Sequence, residues 1–150
     1  MADDTAASIL KLAATKENEA HWFYKNAAGR VKDPGAQAML KDLAEEELKH
    51  RDLLENFDAS QLQGWQPSQV QDLRISDFLE DRPIAEDSPP QEIMIYAMKR
   101  EDKAKRFYEQ AAAATSDGGV RKTFEMLAEQ EAGHKLQLEK LYDEVILKEN

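Results

Sequence analysis

Two copies of one four-residue pattern dominate the chemistry open to this chain: Glu47-Leu48-Lys49-His50 and Glu131-Ala132-Gly133-His134, with lone glutamates upstream at Glu17 and Glu101. On a helix, a spacing of three puts a carboxylate and an imidazole on one face. Both groups are ligands for divalent transition metals. A shift of 84 residues carries Glu17 onto Glu101, Tyr24 onto Tyr108, Glu47 onto Glu131 and His50 onto His134 without a gap. Between 17–57 and 101–141 the shared register keeps 15 of 41 residues identical, where composition alone gives about 3 or 4. The chain therefore contains an internal repeat.

The facing of these residues matters more than their identities. Alternating steps of three and four trace inward seams: Leu10, Ala13, Glu17, Ala20, Tyr24, Ala27, Val31 in a first segment and Leu40, Leu43, Glu47, His50, Leu54, Phe57 in a second. The third seam is Met94, Ala97, Glu101, Ala104, Tyr108, Ala111, and the fourth is Val120, Phe124, Leu127, Glu131, His134, Leu138, Leu141. Each Glu and His thus stands where an aliphatic residue would otherwise pack. Four carboxylates buried together cost many kcal/mol unless something positive joins them. Two divalent cations balance four ionised glutamates, while two histidines bind neutral through a ring nitrogen.

Such a site needs four helices, and the rest of the chain supplies them. The composition is rich in Ala, Glu, Lys, Leu and Gln, with 6 Gly and 5 Pro mostly at segment ends or in the middle stretch. That points to an all-α protein. The first helix is expected from about Asp3 to Val31 and the second from Ala36 to Phe57, separated by a break at Asp33-Pro34-Gly35. The repeat copies the plan: a third helix from Pro90 to Thr115, a break at Asp117-Gly118-Gly119, and a fourth from Val120 to about Lys148. Two hairpins, about 3–57 and 90–148, are then joined by a crossover of about 58–89, long enough to run back along a helix and leave the second and third helices parallel. Its stretch from Val70 to Leu79 has enough apolar residues to pack on the bundle or on another subunit.

Composition also excludes functions. A net charge of -10 leaves no basic stripe for nucleic acid. No run suits a transmembrane helix, and Met1-Ala2-Asp3-Asp4 lacks the features of a signal peptide, so a cytoplasmic, membrane-free setting is expected. With no Cys the chain has no disulfide, thiolate nucleophile or iron–sulfur ligand.

A Glu on each of two helices and Glu-x-x-His on two others resembles the ferritin-like di-iron carboxylate proteins. The Phe23-Tyr24 and Phe107-Tyr108 pairs, seven residues from Glu to Tyr in both halves, and the runs AEEELKH and AEQEAGH look most like their rubrerythrin-like branch. The resemblance spans roughly Ile9 to Tyr142 and implies a single ferritin-like domain over 1–150. It implies two iron ions, with manganese or zinc as possible substitutes. Glu17 and Glu101 would be terminal ligands, Glu47 and Glu131 would bridge, and His50 and His134 would each cap one iron. Tyr24 and Tyr108 match tyrosines whose hydroxyls bond the ligand carboxylates.

Two departures shape the expected activity. Rubrerythrins carry a further glutamate one turn from the third-helix ligand, where this chain has Met98 and Ala104, and they end in a cysteine-bearing rubredoxin domain, for which this chain has no Cys. The reading is an oxidoreductase that oxidises ferrous iron with dioxygen or hydrogen peroxide, as ferroxidase or rubrerythrin-like peroxidase, and needs an external electron donor. The alternatives are an iron-storage subunit or a non-catalytic metal-binding helical module. A homodimer is expected rather than a storage shell. His21, four residues after Glu17 and matched by Lys105 in the repeat, is expected to be partly exposed at the bundle rim.

Overall fold

A computed structural model describes residues 2–65, 87–146 and 148. The elements are α1 (Ala2–Ala28), α2 (Pro34–Glu55), a short α3 (Ala59–Leu62), α4 (Pro90–Ala113) and α5 (Gly118–Leu141), followed by a π-helical turn, Tyr142–Ile146. Among the described residues there is no strand, only an isolated bridge between Trp65 and Thr115. The four long helices form a ferritin-like bundle. None of the described helices is long and apolar enough to cross a membrane.

The repeat shows in how the helices start. Asp33 caps α2, accepting from Ala36 N at 2.9 Å, and its repeat partner Asp117 caps α5, accepting from Val120 N at 2.9 Å. The residues read as breaks therefore begin the following helices: Pro34 occupies a first-turn position whose missing N–H costs nothing, and Gly118-Gly119 make the first turn of α5. No described glycine needs a positive φ. At the other end, α1 stops at Ala28, three residues before the expected Val31, where Gly29 and Arg30 close tight turns onto Asn26 O and Ala27 O.

Two apolar layers close the bundle at its ends. One joins the N-terminal half of α1 (Leu10, Ala14), Leu54 of α2, the C-terminal half of α4 (Phe107, Tyr108, Ala111) and the start of α5 (Val120, Phe124, Leu127). The other joins the end of α1, the start of α2 (Leu40, Leu43), the start of α4 (Met94, Ala97) and the end of α5 (Leu138, Leu141). Since the C-terminal halves of α2 and α4 share a layer, these helices are parallel, as the long crossover predicts. Truncating a wholly buried anchor such as Phe124 to Ala costs ~3–5 kcal/mol.

The start of the crossover is held down. Trp65 is buried on Phe124, donates from Nε1 to Ala111 O at 3.1 Å, and its neighbour Gly64 O accepts from Ser116 N at 2.7 Å. The apolar stretch Val70 to Leu79 lies outside the described residues. At the C-terminus, α5 gives way to the π turn instead of running as α-helix to Lys148. One more α turn after Leu141 would bring Val145 inward. The wider turn brings in Ile146, which is fully buried beside Leu138 and Leu141.

Candidate metal centre

The layer between the two apolar ends is polar. Glu17 comes from α1, Glu47 and His50 from α2, Glu101 from α4, and Glu131 and His134 from α5; all six are buried. The structure thus brings together every residue that the repeat singled out. They form two overlapping groups: Glu17, Glu47, His50 and Glu131, and Glu47, Glu101, Glu131 and His134. Within each group one donor atom per residue lies within 4.8 Å of all the others. Glu47 and Glu131 belong to both groups. Their Oε1 atoms approach both imidazoles: Glu47 Oε1 is 3.4 Å from His50 Nδ1 and 3.2 Å from His134 Nδ1, and Glu131 Oε1 is 3.2 Å from each. Glu17 Oε2 meets only His50 Nδ1, at 3.3 Å, and Glu101 Oε2 only His134 Nδ1, at 3.6 Å. The two rings stack, with centroids 5.7 Å apart.

Tyrosines brace the outer oxygens, each across the bundle. Tyr24 on α1 donates to Glu101 Oε1 on α4 at 2.5 Å, and Tyr108 on α4 donates to Glu17 Oε1 on α1 at 3.0 Å. Burial, reinforced by the nearby carboxylates, holds both phenols well above their ordinary pKa, so both remain donors.

Three residues escaped the sequence reading or were misplaced by it. Arg100 is buried among the carboxylates and donates to Glu47 Oε2 at 2.8 Å, Glu17 Oε1 at 3.1 Å and Glu101 Oε1 at 3.4 Å; its Nη1 also lies 3.5 Å from Glu131 Oε2. The charge balance of four glutamates against two divalent ions therefore omitted a fixed cation. Gln130 Oε1 accepts from His50 Nε2 at 2.6 Å, which leaves Nδ1 of that ring facing the carboxylates. Its repeat partner Glu46 turns to Lys49 instead, at 3.4 Å. His21 is only 4% exposed and donates from Nδ1 to Ala44 O on α2 at 2.8 Å, so it is a buried tie between α1 and α2 and not a rim residue.

A signal for two of these was present in the sequence. A bundle helix buries a stripe wider than one seam, and a second seam on α4 reads Ile93, Ala97, Arg100, Ala104, Phe107, Ala111, all buried. On α1 the parallel seam is Leu10, Ala14, Glu17, His21, Tyr24, Ala28, also all buried.

Without metal the charges settle among themselves. Burial alone would lower the His50 pKa, but Glu131 and Glu17 outweigh it and push the ring up to about 12; His134 is raised likewise against burial by Glu101, Glu131 and Glu47. Burial raises Glu47, reinforced by Glu131 and Glu17, and burial with Glu131 raises Glu101. Glu131 goes the other way: burial opposes ionisation, but the two imidazoles and Arg100 hold its pKa well below the usual carboxylate range. Even so, among the described residues five buried side-chain atoms make no hydrogen bond, namely Glu47 Oε1, Glu101 Oε2, both oxygens of Glu131 and His134 Nδ1. All five belong to this cluster. Buried polar atoms are rarely left so, and convergent carboxylate oxygens with imidazole nitrogen suit iron, manganese or zinc.

A family model described as Rubrerythrin matches residues 8–142. The chain belongs to the rubrerythrin family. Its buried carboxylate and histidine cluster fits the di-iron site typical of that family. Comparison with curated proteins and with solved structures gave no match.

Proposed function

We propose that this rubrerythrin-family protein is a di-iron carboxylate oxidoreductase that oxidises two ferrous ions with dioxygen or hydrogen peroxide, as a ferroxidase or a peroxidase. The observation that carries this reading is the pair of overlapping ligand groups sharing Glu47 and Glu131. One ion would be held by Glu17 and His50, the other by Glu101 and His134, with Glu47 and Glu131 between them. Bound iron would supply one electron per ferrous ion, enough together to take hydrogen peroxide to two waters or dioxygen to peroxide.

The chain's own part is to hold and orient. Tyr24 and Tyr108 keep Glu101 and Glu17 turned so that one oxygen of each faces the imidazoles. Gln130 fixes the His50 tautomer. The two apolar layers keep bulk water from the carboxylates at both ends. Electrons for repeated turnover would come from a donor outside these residues, since they hold no Cys for an iron–sulfur relay.

The test is an anaerobic ferrous titration followed by oxidant. Binding should saturate near about two ions per chain, and ferric absorbance should then grow faster with protein than in its absence, with dioxygen, peroxide or both. Saturation near zero would reject the site. Two tightly held ions that do not oxidise would leave a metal-binding helical module instead.

A further inference from the structure

Arg100 breaks the repeat at its centre. Its partner one repeat earlier is Lys16, whose ammonium lies 3.2 Å from Glu19 on a side chain 17% exposed, whereas the Arg100 side chain is 7% exposed and faces all four glutamates. The guanidinium and the imidazoles divide each carboxylate between them. Arg100 faces Glu17 Oε1, Glu47 Oε2, Glu101 Oε1 and Glu131 Oε2, while the histidines face Glu17 Oε2, Glu47 Oε1, Glu101 Oε2 and Glu131 Oε1. Each glutamate thus keeps one oxygen on the imidazole side, so Arg100 in place still leaves one carboxylate donor per residue for an ion.

A guanidinium cannot shed its charge. With both imidazoles neutral, as ligation requires, four ionised glutamates and Arg100 leave a net charge of three negatives for the first divalent ion, but only one negative for the second. The doubly loaded centre then carries one surplus positive charge inside a low-dielectric bundle, where unbalanced charge is costly. Without Arg100 the same count ends at zero.

We propose that Arg100 makes the second divalent ion bind together with a small monoanion, so that the centre loads in two unequal steps. The inference rests on the two-metal reading above. Arg100 acts through the carboxylates as a built-in counter-ion, setting how many ions the centre holds at a given anion concentration.

Cobalt(II) tests this without redox chemistry, by calorimetry and visible absorption in a halide-free sulfonate buffer, with azide as the monoanion. In the wild-type protein the second cobalt should bind about tenfold or more weaker than the first, and its apparent affinity should rise in proportion to azide over the subsaturating range. R100M should draw the two steps together and abolish the azide dependence. R100K, which keeps the charge, should restore both. A wild-type second step indifferent to azide overturns the proposal, as does an azide dependence that survives in R100M. If R100M fails to fold, the azide response of the wild type and of R100K still decides. No cobalt uptake at all would sink the two-metal reading itself; two equal, azide-independent steps would sink only the role of Arg100.

Discussion

Replacing Tyr24 by Phe deletes one hydroxyl and leaves the ring in the core, so its effect isolates a single hydrogen bond to a buried carboxylate. The oxygen it serves, Glu101 Oε1, would keep only Arg100 Nη1 at 3.4 Å, and Glu101 Oε2 already has no hydrogen bond. A hydrogen bond to a charged group is worth ~1.5–3 kcal/mol, and an acceptor stranded in the interior lies at the upper end. Tyr108→Phe is the internal control. There Glu17 Oε1 keeps Arg100 Nη2 at 3.1 Å, a better replacement, so the loss should be about 1 kcal/mol. For a chain of this size each kcal/mol moves Tm by ~2–4 °C. Metal-free Tyr24→Phe should therefore melt roughly 4–10 °C lower and Tyr108→Phe roughly 2–4 °C lower, read by circular dichroism. Because the bonds cross the bundle, Tyr24→Phe should also weaken the ion held by Glu101, and Tyr108→Phe the ion held by Glu17, each by ~10–100-fold. A larger loss for Tyr108→Phe, or no loss in either, would refute the assignment of these hydroxyls.

Glu47→Ala or Glu131→Ala should empty both metal positions, whereas Glu17→Ala or Glu101→Ala should leave about one ion per chain by elemental analysis; equal losses in all four would remove the sharing inferred from the overlapping groups. Stability should depend on pH in opposite senses with and without metal. The raised His50 pKa contributes metal-free stability that is complete below its unfolded value of 6.5 and is lost as pH climbs toward about 12, and the raised Glu47 and Glu101 add terms complete below 4.5 and lost above it. Ligation needs those protons gone, so metal affinity should rise with pH, loading should release protons into unbuffered solution, and the gap in Tm between loaded and metal-free protein should widen from pH 6 to pH 9; a constant gap would contradict the buried cluster. Asp33→Ala and Asp117→Ala should each cost ~1 kcal/mol by loss of a helix cap, visible as a small fall in denaturation midpoint, and an unchanged midpoint would mean that solvent replaces the cap.

The helices and their pairing were legible because the repeat states them twice. Asp33 and Asp117 mark the same cap, and the one seam through each Glu and His points to the layer they occupy. What sequence reasoning misjudged there was the use of Pro34 and Gly118-Gly119, whose helix-breaking character is spent at first-turn positions where no bond is lost. The end of α5 was not legible for another reason: α-helical periodicity cannot announce a π turn, and only the burial of Ile146 in place of Val145 shows why the extra residue is useful.

The centre itself was half legible. Its six repeated residues converge because a symmetric repeat must bring symmetric residues to one axis. Arg100, Gln130 and His21 break that symmetry, and a repeat cannot predict its own exceptions: their partners Lys16, Glu46 and Lys105 pair with the acidic or basic neighbours Glu19, Lys49 and Glu109 on their own helices. The exceptions share a physical logic. Each places a polar group on a second buried seam or beside a ligand, where it must find a partner on another helix: Arg100 reaches the glutamates of α1, α2 and α5, Gln130 reaches His50 on α2, and His21 reaches Ala44 on α2. The two halves thus build a symmetric set of donors and an asymmetric surround. His50 is held by Gln130 while Glu46, in the equivalent place, turns to Lys49, and the guanidinium lies closest to Glu47 and Glu17. On the two-metal reading, positions with like ligands but unlike fixed charge and unlike imidazole support are expected to hold their ions with unequal affinity.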